Sequence, residues 1–321
     1  MGRFDVTCKS FFSKPQNFAD MINGVIFGGR MVINPMDLEE AGTERIFDED
    51  SKSYFVDIAK KWTVNGYNLL IIAIENQKAV DYSMVIRNMV SEALSYKNQV
   101  NDIRSHHKNM GDLKGDEYLS GFANKDMLTP VITVVIYFGE KAWDGPRSLY
   151  DMLDMDKRLE PYIYNYKLNL MDYHDYENYD AFQDECRIVF EALAARDNEE
   201  KTDEFISKHK SIHIHTGRLV GEILNINYKK EHIVRTLEGD EINMCKAWDD
   251  HYNSGKNAGK AEGIRVGKAE GKAEGINLER ENNASNMIKH RLSVDTIMAC
   301  INISLDELQM LSEKIGVGLT Y

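Results

Sequence analysis

The run Val131–Phe138 (VITVVIYF) limits the possible folds of this chain more than any other stretch. Apart from Thr133 it is apolar or aromatic throughout, with none of the alternation that marks a strand wetted on one side. A strand of this kind needs apolar layers on both faces, so its sheet must carry helices above and below. It is far too short for the ~20 residues that span a bilayer, and no other apolar run comes near that length, so no membrane partner is expected.

Two more strand-like runs, Tyr54–Ala59 and Leu69–Ile74, flank Asn65-Gly66, a strong hairpin signal between apolar runs. Each carries an acid. Asp57 interrupts the first, and Glu75 follows directly on the second, with Gln77 two residues later. An ionised carboxylate resists leaving water unless a cation or donor meets it, so acids on two adjacent strands point to a divalent metal site. The other reading is that both face solvent at a sheet end. The hairpin register discriminates, because a one-residue slip turns every side chain to the other face. A two-residue turn places Asp57 opposite Ile74 and sends Asp57 and Glu75 to opposite faces. A three-residue loop, Val64-Asn65-Gly66 with a bulge at Gly66, pairs Asp57 with Ala73 and Phe55 with Glu75. The two acids then become diagonal neighbours about 5–8 Å apart at Cβ, within reach of one Mg²⁺ held by oxygens. Gln77 points the same way. The metal reading requires a bulged register.

The remaining elements fill in around this sheet. Phe18, Met21, Ile22 and Val25 predict a helix over 17–28, ended by Gly28-Gly29. An acidic connection, Asp37 to Asp50, follows it. Ile86, Met89, Val90, Ala93 and Leu94 form a stripe over 82–99, with Arg87, Ser91 and Ser95 opposite, and a polar loop is expected from Asn101 to Asp116. Trp143-Asp144-Gly145-Pro146 reads as a turn, Tyr164–Leu170 as a strand, and 178–210 and 216–226 as helical. His106-His107 and His213-x-His215 have no acidic or cysteine partners at metal spacing and read as solvated loop residues. The tyrosines at 162, 164, 166, 173, 176 and 179 read as core or sheet-edge packing rather than a stacking platform for bases. Four cysteines without paired spacing indicate neither disulfides nor zinc, and so a reduced, cytoplasmic setting.

The tail differs in kind. Gly255, Gly259, Gly263, Gly267, Gly271 and Gly275 recur every fourth residue among Lys, Ala and Glu, which reads as a solvated helical or flexible spacer. Ala269 stands where a phosphate loop needs Ser or Thr, so that motif is rejected. Beyond it, residues 284–314 carry three short helical patterns. Ser304 and Glu307 form a capping box there, and Ile297, Ile301, Leu305, Leu308 and Leu311 form a small core. Few basic residues accompany this helix-turn-helix-like pattern, so a packing or dimerisation module, giving a possible homodimer, is as good a reading as a DNA reader. The net charge of −13 argues against indiscriminate binding to phosphate backbones.

The segment from about 17 to 140 resembles the Rpn family of recombination-promoting nucleases and putative transposases, within the PD-(D/E)XK superfamily. The likeness rests on Asp57-Ile58-Ala59-Lys60, Ile74-Glu75-Asn76-Gln77, Tyr82–Met89, Ala93–Tyr96, Leu119–Phe122, Thr129–Thr133 and Trp143–Leu149. It continues with Asn243–Ala247 and the glycine repeat. The resemblance implies an α/β fold with a restriction-endonuclease-like mixed sheet flanked by helices and an α-helical C-terminal extension. It implies a nuclease domain over 1–180, a helical extension over 181–250, the repeat spacer over 251–282 and a helical module over 283–321. It further implies Mg²⁺-dependent hydrolysis of DNA, with Asp57 and Glu75 holding the ion and Gln77 where the superfamily usually has Lys. Gln orients and hydrogen-bonds but brings no charge. Arg87 is the candidate to supply that charge, the alternative being a solvated helix residue. Asp20 is either a third carboxylate or ordinary surface. Val85 stands where the family commonly has Pro, and Ser91-Glu92 where it has Tyr-Asp. The alternative function is a catalytically silent DNA-binding or dimerising scaffold that keeps the fold.

Overall fold

The computed structural model describes residues 2–46, 53–176, 179–237 and 239–321. The acidic connection over 37–50 therefore lies partly outside the described residues. In chain order the elements are α1 (Arg3–Phe12), α2 (Pro15–Phe27), β1 (Leu38–Glu40), β2 (Glu44–Ile46), β3 (Ser53–Phe55), β4 (Ile58–Val64) and β5 (Tyr67–Gln77). Then come α3 (Met84–Met110), α4 (Gly115–Ser120), β6 (Val131–Tyr137), β7 (Asn169–Asp172), α5 (Asp184–Ala195) and α6 (Glu199–Lys208). The last are β8 (Ser211–His213), α7 (Ile214–Ile223), β9 (Ile233–Thr236), β10 (Gly239–Asn243), α8 (Met244–Lys289), α9 (Val294–Cys300) and α10 (Leu305–Ile315). Two compact units result, residues 1–249 and 250–321. No helix among the described residues is long and apolar enough to cross a membrane.

The first unit is a mixed α/β fold around a five-stranded sheet ordered β1-β4-β5-β6-β7. The β1–β4 and β4–β5 pairs are antiparallel, and β5–β6 and β6–β7 are parallel. On one face Leu70, Ile72 and Ile74 of β5 join Val134 and Ile136 of β6 in a core closed by Phe12 of α1, Phe18 and Ile22 of α2, and Phe190 of α5. On the other, Val135 and Tyr137 meet Met84 of α3 and Trp143. The unbroken apolar run thus has layers on both faces. Residues 181–249 build onto the first of these cores through Phe182, Val189, Leu219 and Ile242.

The hairpin departs from the expected loop. Val64 pairs with Tyr67, so the turn is the two-residue one, with Asn65 and Gly66 both at positive φ (51° and 81°) as a type I′ turn demands. Gly66 takes that conformation without strain. The bulge lies further along. Thr63 faces Asn68 but Trp62 faces Leu70, leaving Leu69 as the extra residue and shifting the register to Ile58↔Ile74. The expected pairs Asp57–Ala73 and Phe55–Glu75 do not form: Phe55 pairs with Glu44, Ala73 pairs with Ala59, and the ladder ends at Ile58↔Ile74, one residue short of Asp57. The run 54–59 is also not one strand, since Val56 and Asp57 separate β3 from β4.

α3 continues to Met110, where a loop was expected, because its polar side chains have partners. β6 meets β7 only from Val134 onward. Its open edge before that is bonded by α3: Thr129 N–H donates to Gln99 (2.7 Å), Val131 N–H to the Tyr96 hydroxyl (3.0 Å) and Thr133 N–H to Glu92 (2.8 Å). This need rotates the helix, so Ser91 and Ser95 are buried while Ala93 is exposed. His107, expected in solvent, is only 7% exposed and bridges Asp112 (2.8 Å) and Asp126 (2.9 Å). Asp112 and Asp126 come from the loops flanking α4, so sequence spacing alone hid them. The strand expected over 164–170 begins at Asn169. Tyr162 and Tyr164 are exposed, whereas Tyr173 and Tyr179 are core.

In the second unit, Ala284 and Ile288 of α8 pack with Val294, Ile297, Ile303, Leu308 and Leu311. The capping box at the start of α10 is present: Glu307 N–H donates to the Ser304 hydroxyl (3.2 Å), and Ser304 N–H to Glu307 (2.8 Å). Arg280 is held by Glu307 (2.8 Å) and by the Asn302 carbonyl (3.0 Å). The glycine repeat is helical and exposed.

Candidate functional site

Strand alternation assigns the two faces of β5. Ile72 and Ile74 enter the larger core, so Ala73, Glu75 and Gln77 point toward α3. Glu75 pairs with Val135 in the parallel ladder and is only 4% exposed at its side chain. Arg87, one turn into α3, donates from Nη2 to Glu75 Oε2 at 3.2 Å, and its Nη1 lies 3.5 Å from Asp81. Asp81 in turn accepts from the Ser83 N–H (2.9 Å) and hydroxyl (2.7 Å), which fixes the entry to the helix.

Burial dominates the electrostatics of Glu75 and pushes its carboxyl up to about 7. Arg87 holds it down, the Asp57 charge drives it up, and Lys9 of α1 lowers it. Asp57 lies in the bend before β4. Its Oδ2 accepts from the Asn76 N–H at 2.9 Å and lies 3.5 Å from Asn76 Nδ2, occupying a strand donor that β4 no longer reaches. Asn76 points to the opposite face from Glu75, and its Oδ1 is buried without a hydrogen bond among the described residues. Gln77 closes β5. Its carbonyl accepts from Phe138 N–H (2.7 Å), while its side-chain amide makes no hydrogen bond among the described residues.

Each acid therefore has one oxygen engaged, and Asp57 Oδ1 and Glu75 Oε1 make no hydrogen bond among the described residues. Two carboxylates, one of them desolvated and electrostatically coupled to the other, fit a hard divalent cation. Asp20 does not contribute an acid of this kind; both its oxygens accept from Gln183 N–H at the start of α5 (2.9 and 3.1 Å).

Lys9 escaped sequence reasoning. Phe4, Cys8, Phe11 and Phe12 carry the helical spacing that would have found α1. Nothing in the sequence tells that its lysine senses an acid on β5. Its ammonium makes no ion pair among the described residues. Glu92 is the second half-buried acid on this side of the sheet, raised by burial, but its oxygens serve Thr133 and Tyr166, which makes it a support of the strand edge.

The sequence model of one protein family, described as "Putative transposase, YhgA-like", matches residues 3–214. No curated protein matches the chain, and no solved structure does.

Proposed function

Since the chain belongs to the YhgA-like putative transposase family, we propose that it is a divalent-metal-dependent DNA endonuclease acting in transposon-associated recombination. The observation that carries this reading is the pair Asp57 and Glu75: Glu75 is buried on β5, held by Arg87 and electrostatically coupled to Asp57, whose Oδ2 accepts from the N–H of the next residue, Asn76.

Asp57 and Glu75 would hold Mg²⁺. The bound ion would supply Lewis-acid polarisation of a phosphoryl oxygen and a water of lowered pKa. The rest falls to the chain itself. Gln77, on the Glu75 face with a side-chain amide left over, orients the attacking water by hydrogen bonding. Arg87 is the positioning residue for Glu75: it keeps the carboxylate ionised in a site that burial would otherwise protonate.

The scaffold reading keeps one observation in its favour, because the net charge of −13 argues against indiscriminate binding to phosphate backbones. Plasmid nicking in Mg²⁺ by the native chain, Asp57→Ala and Glu75→Ala separates the two. The nuclease reading expects nicking by the native chain and at least a hundredfold loss in both variants. Equal nicking by all three would discard it, and DNA binding without nicking by any would establish the scaffold.

A further inference from the structure

A cavity of about 840 Å³ opens at the carboxyl ends of β5 and β6, starting one residue past Gln77. Open sheets with parallel strands place their ligand crevices outside these strand ends. The cavity takes walls from five parts of the first unit: Phe4 of α1, Lys78 and Tyr82 after β5, Gly139–Ala142 after β6, Arg196 and Asp197 after α5, and Glu222–Asn225 at the end of α7.

Its charges sort into spent and free. Glu222 is paired with Arg3 (2.6 Å), and Asp197 with Arg196 (3.4 Å). Asp144 accepts from the Tyr82 hydroxyl (3.0 Å). Arg196 gives its terminal nitrogens to the carbonyls of Phe138 (2.8 Å) and Gly139 (2.5 Å). Lys78 and Lys141 remain without an ion pair among the described residues, against the Glu140 side chain. The Lys78 ammonium is held 4.3 Å from the centre of the Phe4 ring, in the open cavity rather than against an acid.

Two further features mark a built site. Tyr137 is 3% exposed, yet its hydroxyl makes no hydrogen bond among the described residues while the residue lines the cavity. Glycine at 139 keeps room for that hydroxyl, since a Cβ there would lie 1.9 Å from it. Tyr137 cannot easily swing away, being set edge-on against buried Trp143 at 5.1 Å. Tyr82 offers a ring that is 59% exposed and is anchored through its hydroxyl to Asp144. A fixed aromatic face, a tyrosine hydroxyl without a hydrogen bond among the described residues and unpaired ammonium groups match a base and its phosphate.

We propose that this cavity binds one nucleotide of single-stranded DNA, with the base on Tyr82, the phosphate on Lys78 and a hydrogen bond from Tyr137. Its place beside a scissile phosphate rests on the nuclease reading; its binding of DNA does not. The test is fluorescence anisotropy of a labelled twelve-residue thymidine oligonucleotide in EDTA, where no metal-dependent cleavage runs. Lys78→Ala and Tyr82→Ala are each expected to raise Kd about tenfold, and Tyr137→Phe severalfold. Glu262→Ala, exposed on α8 and outside the cavity, should keep the native Kd. Unchanged affinity in both Lys78→Ala and Tyr82→Ala, with circular dichroism and Tm as in the native chain, would overturn the proposal. So would an absence of oligonucleotide binding by the native protein, or equal weakening by an Ala substitution at exposed Lys256. Loss of nicking by the native chain with the binding pattern intact would remove the nuclease reading and leave the nucleotide site standing.

Discussion

β5 and α8 are both long elements, and they differ in what fixes their residues. In β5 every position from Leu70 to Glu75 is 8% exposed or less, and two neighbouring strands set its register. In α8 residues 252–279 are exposed, and a Cβ added at any of the six repeat glycines would meet nothing within 4 Å. The strand is determined by its surroundings and the helix by local propensity alone. A substitution should therefore be read through its neighbours in one and through the backbone in the other, and no contact among the described residues requires the repeat glycines.

The same change made in both regions tests this most directly. Ile72→Ala empties a fully buried position and is expected to cost about 2–5 kcal/mol. Ile264→Ala, at a half-exposed position of α8, should stay within about 0.5 kcal/mol. Urea unfolding of both variants checks the pair, and similar losses would erase the contrast.

The carboxylates divide likewise. Glu75 has a folded pKa of about 7 against an ordinary 4.5, so its ionisation opposes folding. The penalty is absent below about pH 4.5, grows as pH rises through 7 and is full above that. In metal-free protein Glu75→Gln should therefore stabilise by about 3 kcal/mol at pH 8 and by little at pH 4. Glu262, exposed on α8 and held low by Arg265, has the opposite sign: Glu262→Gln should cost a little stability above the ordinary glutamate range and none in strong acid. Denaturation at several pH values reads both. A Glu75→Gln profile parallel to the native one would show that this acid is not the strained group.

Two glycines sharpen the comparison on a smaller scale. Gly139→Ala drives a methyl into the Tyr137 hydroxyl and should destabilise by about 1–3 kcal/mol. Gly267→Ala in α8 meets nothing and should stabilise the helix by about 1 kcal/mol. Calorimetry that gave both the same sign would break the distinction.

The same division governs what could be read from the sequence. The run 131–138 declared its two-sided burial because nearly every residue had to be apolar, and Ser304 with Glu307 declared a cap because both partners lie within one turn. Asn65-Gly66 gave the hairpin and its sheet but not the register, since a bulge at Leu69 depends on how β4 and β5 twist together, not on the turn. The observed ladder ends at Ile58↔Ile74, so Asp57 meets β5 through the Asn76 N–H rather than as a paired strand residue. Partners far apart in the chain stayed hidden: Lys9 near Glu75, Glu92 on the Thr133 amide, and Lys78 over Phe4. Side chains that satisfy a distant strand edge leave no local pattern.

His107 is the clearest such case, and it supports the smallest prediction. Its two ring nitrogens face Asp112 and Asp126, and Asp126 also accepts from Ala123 N–H at 2.7 Å. With a carboxylate at each nitrogen, both are best served as donors, so the hydrogen bond to Asp112 first and that to Asp126 next raise the imidazole above its usual range. A raised folded pKa means the clamp contributes fully below about pH 6.5 and is lost as pH rises through the higher folded value. Neither β5 nor α8 should respond, because the clamp ties only the end of α3 to the segment carrying α4. Hydrogen exchange over residues 111–126, corrected for intrinsic rates, should quicken severalfold from pH 6 to pH 9 in the native chain. In His107→Gln it should be fast at both. Equal protection at the two pH values in the native chain would mean that a neutral imidazole holds the segment as well as a charged one.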